Sequence, residues 1–126
     1  MGNSSTSVLE KLKEAYAVWQ QILPHISKGQ RQTIGAKIDK LLIDILELTF
    51  QGIYAPLPKR LDLITNAVIK IDSAKFFVLI AWENKIIDDK KHIRLSEKLV
   101  DASKMLVNWK EYLRKLPPIS AEERKK

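Results

Sequence analysis

Four basic residues in the C-terminal half fall into two pairs, Arg94 with Lys98 and Lys110 with Arg114, each four residues apart. On a helix that spacing puts both charges of a pair on one face, where like charges repel by a few tenths of a kcal/mol. The same segment holds opposite charges that could balance one another, Asp101 with Lys104 and Glu111 with Lys115. Leaving the two basic pairs unbalanced predicts an anionic partner, and phosphate is the commonest. Lys90 and Lys91 precede the segment. Lys28 and Arg31 open an earlier one, with Lys37 further along it. These nine residues are the candidate nucleic-acid contacts, and their role is phosphate neutralisation. The competing reading is a solvated basic face. The aromatic residues fall mostly on apolar seams, so no platform for stacking bases is expected, and recognition would be of backbone or shape.

Other chemistry has less to stand on. The two histidines, His25 and His92, lack a second histidine or a carboxylate at metal-ligand spacing on one helical face. No metal and no cofactor is expected. Asp44, Glu47 and Asp72 are isolated mid-helix carboxylates, and Asp72 with Lys75 three residues on reads as an ion pair. Nucleophile elbow, P-loop and dinucleotide motifs do not occur, so the chain is not expected to be an enzyme.

The 126 residues suit one domain, and 45% are apolar, enough for a core. Cysteine is absent, which excludes a disulfide framework and a thiolate metal site. The net charge of +7 is unevenly placed: residues 90–116 carry eight basic against three acidic side chains, while 1–23 and 57–89 are balanced. No apolar run approaches the roughly 20 residues that span a bilayer. No membrane partner is expected, and a cytoplasmic location is the default. Met1-Gly2-Asn3-Ser4-Ser5-Thr6 fits the loose myristoylation pattern, but a polar, disordered start over residues 1–7 is the simpler reading.

Four apolar-periodic segments must position these charges. The first runs from Val8 to Leu23 and ends at Pro24. The second starts at Ser27, where Ser27-Lys28-Gly29-Gln30 has capping-box spacing, and stops before Ala55-Pro56-Leu57-Pro58. Lys59 to Ile87 is the third. The fourth, from His92, keeps Leu95, Leu99, Ala102, Leu106, Trp109, Leu113 and Leu116 on one seam until Pro117-Pro118. Four helices on short loops predict an all-α, antiparallel up-down four-helix bundle over residues 8–116, with a disordered tail over 117–126.

The third segment contains Phe76-Phe77-Val78-Leu79-Ile80-Ala81-Trp82, apolar in every helical direction. A bundle helix needs roughly half its circumference apolar. The remainder would leave large rings in water, so Phe76, Phe77, Ile80 and Trp82 are the candidate subunit interface. Gly35 and Gly52 each cost about 1 kcal/mol in a helix. That suits close backbone approach, with fraying near the helix end the alternative for Gly52.

The stretches LPHISKGQRQTIGAKID, LELTFQGIYA, IDSAKFFVLIAWENKIIDDKKHIRLSEKL and MLVNWKEYL together resemble a bacterial four-helix-bundle family. It includes Avd, the accessory variability determinant of diversity-generating retroelements, and the proteins of ribosomal RNA intervening sequences. The resemblance runs from about Leu12 to Leu116. It implies a pentameric, barrel-like ring of bundles with a basic surface. Avd-like members bind a reverse transcriptase and RNA, and support mutagenic reverse transcription without activity of their own. The intervening-sequence branch implies instead a scaffold that binds only protein. RNA is the expected nucleic acid, with DNA second. Where the family often carries Leu-Gly-x-Arg, this chain has Ile34-Gly35-Ala36-Lys37. The charge is kept, while an arginine's bidentate contact is not.

Overall fold

Breakers between apolar stripes decide where this chain reverses. A computed structural model of the protein describes residues 2–117, with side chains from 7 onward. Four long helices carry it: α1 Gly2–Ile22, α2 Ala36–Tyr54, α3 Lys59–Glu83 and α4 Asp89–Arg114. Each packs against its chain neighbours, and α4 closes the ring against α1. This is the antiparallel up-down bundle that the periodicity predicts, and no strand occurs among the described residues.

The core is the set of seams. Trp19, Ile38, Ile45, Ile64, Ile71, Leu95, Leu99 and Leu106 are its largest sealed apolar side chains. Polar ties join neighbouring helices around it. Asp39 of α2 accepts from Tyr16 Oη and Trp19 Nε1 of α1, both at 3.0 Å. Lys70 of α3 reaches Asp44 of α2 at 3.5 Å, and Lys98 of α4 reaches Glu14 of α1 at 2.9 Å.

The helix ends differ from the sequence expectation, each for a local reason. Helical backbone begins at Gly2 rather than Val8, since no breaker stands between them, so the start expected to be disordered over 1–7 is helical from Gly2. Of the tail expected over 117–126, residues 118–126 lie outside the described residues.

α3 stops at Glu83, short of Ile87, because the chain turns in a Schellman motif. Ile86 N donates to Ala81 O at 2.8 Å and Lys85 N to Trp82 O at 3.0 Å. Lys85 takes the left-handed conformation there, φ 60°, where glycine is usual. α4 starts at Asp89, ahead of His92, because Asp88 caps it by accepting from Lys91 N at 2.9 Å. Arg60 terminates α2 by donating to Ala55 O at 2.8 Å and Ile53 O at 3.2 Å.

The entry to α2 is irregular. After a 3-10 turn over Leu23–His25, one helical turn at Lys28–Gln30 widens into a π turn at Arg31–Gly35. Ser27 does not close the capping box on backbone; its Oγ donates to Gln30 Oε1 at 2.9 Å. A side chain at Gly35 would place its Cβ 3.2 Å from Gln30 O and 3.6 Å from Leu23 Cδ1, so this glycine sits where two turns approach closely.

Candidate nucleic-acid interface

The up-down topology brings the end of α1, the entry to α2, the end of α3 and the start of α4 to one end of the bundle. Lys28, Arg31, Lys90, Lys91 and Arg94 belong to that end, where Lys90, Lys91 and Arg94 line one groove and Arg31 lines another beside Asp39. Lys110 and Arg114 do not belong to it. Sixteen residues of helix separate Arg94 from Lys110, about 24 Å at 1.5 Å per residue. The nine candidates therefore form no single surface patch on one chain.

Their charges are also not equally free. Lys98, expected to repel Arg94, is held by Glu14 across the α1–α4 interface at 2.9 Å. The lysine's hydrogen bond, and then its charge, hold the Glu14 carboxyl below its ordinary range. Arg114 pairs with Glu111 at 3.0 Å, so Glu111 serves Arg114 and not Lys115. Lys91 pairs with Asp88 at 2.8 Å, and these bonds lower the Asp88 carboxyl. Lys37 stands over the Phe77 ring, 5.8 Å from its centroid. Asp72 and Lys75 form the expected ion pair at 3.4 Å.

Of the nine candidates, Lys28, Arg31, Lys37, Lys90, Arg94 and Lys110 have no acidic partner within ion-pair distance among the described residues. Four of these six stand at the basic end. An open groove of about 560 Å³ lies there between the end of α1 and the start of α4, lined by Gln21, His25, Asp88, Lys90, Lys91 and Arg94, with Ile22 as its floor. His25 was set aside in the sequence because no ligand-spaced partner lies near it in the chain. Its neighbours come from α4.

The apolar run of α3 resolves into faces. Ala74, Val78 and Ala81 are sealed in the core. Phe77 and Ile80 are half-buried, Phe77 packing against the core and edge-on to Phe76 at 5.4 Å. Phe76 is 54% exposed and Leu79 is also exposed. Trp82 is occupied within the chain: it stacks on His92 at 4.6 Å and its Nε1 donates to Asp89 at 2.7 Å.

The exposed strip extends beyond the run. Ile93, Val100 and Val107 of α4 are exposed at steps of seven. Lys75 Nζ meets Ser103 Oγ at 3.4 Å, which sets the register between α3 and α4 there. A second strip, Ile43, Phe50 and Tyr54, lies on the outer face of α2, with the two rings edge-to-face at 5.3 Å. The step of seven was readable in the sequence, as it lies outside the core seam of α4. The α2 strip was masked by the wider stripe beside it.

Among the described residues no group of three or more His, Asp or Glu could hold a metal ion, and no helix is long and apolar enough to cross a membrane. Comparison with protein-family models, with curated proteins and with solved structures finds no match. The resemblance to the Avd family thus rests on the quoted residues alone.

Proposed function

We propose that this chain is a non-enzymatic, self-associating accessory protein of the Avd type. It binds RNA through its basic end, partners a reverse transcriptase and supports mutagenic reverse transcription in the cytoplasm. One observation supports the nucleic-acid part: Lys90 and Arg94, without acidic partners among the described residues, line one groove at the end of the bundle to which the entry of α2, with Lys28 and Arg31, also belongs. Lys90 and Arg94 are its centre, with Lys28 and Arg31 from the entry to α2. Lys98 and Arg114 are reassigned as structural pairs.

The self-association part is supported by the two exposed apolar strips, one on α2 and one on the α3–α4 face. Two different strips on one chain suit a head-to-tail contact between copies, which closes into a ring when the rotation allows. The resemblance makes that ring a pentamer, and a ring would repeat the basic end around one rim and multiply its field.

The test is a titration of the pure protein into labelled structured RNA and duplex DNA at two salt concentrations. Tight binding that weakens steeply with salt supports the phosphate surface. No binding at low salt would overturn it. The second reading, a scaffold that binds only protein, is favoured by the same apolar strips. It predicts a stable oligomer with no RNA affinity.

A further inference from the structure

We propose that the groove between the end of α1 and the start of α4 is a site for one phosphate monoester. Its cationic contacts are Lys90 and Arg94, Lys91 being paired with Asp88, and its other polar contacts are His25 and Gln21. The site overlaps the proposed nucleic-acid surface, and rests on that reading only if its ligand is the end of a nucleic acid.

Two chain segments build it. Gln21 and His25 come from the end of α1 and the turn after it, and the cations come from the first turns of α4. Lys90 and Arg94 are four apart on α4, so their side chains rise from one face on adjacent turns. Neither has an acidic partner among the described residues. Asp88 is the one carboxylate in the lining, and it is engaged twice by Lys91, through the backbone N–H at 2.9 Å and Nζ at 2.8 Å. The capping carboxylate occupies the end of the helix, so an incoming anion meets side chains.

Charge sets the ligand class. Lys91 and Asp88 offset each other, and Lys90 and Arg94 leave the lining's Lys, Arg and Asp side chains at a formal +2, which matches a monoester dianion better than a singly charged diester. Charge-assisted hydrogen bonds from Lys and Arg are the strong ones for such a group. The groove's size, about 560 Å³, falls within the range of small-ligand sites and admits a nucleotide. The same chemistry comes from a free nucleotide or from the 5′ end of an RNA.

The His25 ring resonances read the site directly. The full chain is titrated with inorganic phosphate, with adenosine monophosphate, and with one short RNA carrying either a 5′-phosphate or a 5′-hydroxyl, with chloride matched throughout. Phosphate and the monophosphate are expected to shift the ring saturably, in roughly the millimolar range. Lys90→Gln and Arg94→Gln should each weaken this by about tenfold, and Lys59→Gln at the opposite end should not. Both test positions are exposed and unpaired, so these variants should melt as the parent does.

A preference for the 5′-phosphate RNA over its hydroxyl twin assigns the chain end as the source. Saturable shifts from the monophosphate with equal affinity for the two RNAs assign the free nucleotide. Shifts with the monophosphate but no RNA affinity would keep this site and remove the nucleic-acid function. RNA binding with an unmoved His25 would do the reverse. Phosphate binding that persists in the Lys90→Gln, Arg94→Gln double variant would overturn the proposal.

Discussion

Replacing Gly52 by alanine sets two opposed effects against each other. Gly52 lies in the last turn of α2, buried against α3. Helix propensity favours alanine by up to about 1 kcal/mol. Sterics oppose it: a Cβ would lie 2.6 Å from Ile64 Cδ1 and 3.2 Å from Ile64 Cγ1, with Trp109 Cη2 at 3.8 Å. Ile64 is fully sealed, so its tip has no open space to move into. Overpacking of this kind costs about 1–3 kcal/mol. The balance is a destabilised Gly52→Ala, by up to about 2 kcal/mol. Ile64→Val removes the clashing methyl and alone costs about 0.5–1.5 kcal/mol. In the alanine background it should cost much less, giving a coupling near 1 kcal/mol in the double-mutant cycle. Urea unfolding followed by circular dichroism, at one protein concentration because association adds to stability, gives all four values. A Gly52→Ala chain more stable than the parent by about 1 kcal/mol would refute the close-approach argument and restore helix-end fraying as the reason for this glycine.

Asp39→Ala should lose about 1–3 kcal/mol, because it strands the indole N–H of sealed Trp19 and leaves the Tyr16 hydroxyl only the bond it accepts from Gln20; an unchanged urea midpoint would contradict this. Lys85→Gly should stabilise the chain by up to about 1 kcal/mol by relieving the left-handed position, readable as a raised melting temperature. Glu14 and Asp88 have carboxyls lowered by their lysines, from ordinary values of 4.5 and 3.8. Their contribution is complete above those values and is lost as pH falls through the lower folded-state values, so acid unfolding of Lys98→Met should show a smaller dependence on pH below about 4.5 than the parent. Phe76→Asp and Leu79→Asp should lower the mass seen by light scattering, whereas a monomeric parent would remove the basis for a subunit interface.

The core was legible because buried positions repeat with the helix. The fourth seam is sealed at each expected position from Leu95 to Leu113, while Leu116, past the helix end at Arg114, is half-buried. Helix ends were less legible because they depend on backbone bonds that no residue type announces, as at Lys85, where a lysine stands in the position that favours glycine. The charge reading failed where pairing crosses helices. Lys98 looked unbalanced because Glu14 lies 84 residues away in the chain. Arg94 and Lys90 stay without an acidic partner because the groove residues facing them from α1 and the turn after it, Gln21, Ile22 and His25, include no carboxylate. The apolar run was half legible: composition showed that it covers every direction, but only packing shows that Trp82 turns back onto His92 and Asp89.

That last contact gives the chain an optical gauge of its own. Trp19 and Trp109 are sealed at 0% and 6% exposure, whereas Trp82 is 36% exposed. Dissolved quenchers should therefore reach this one indole first. It lies at the α3–α4 corner, face to face with an imidazole at an interplanar angle of 10°. Whatever docks on the basic end or along the adjoining strip changes the light from one tryptophan while the other two hold still.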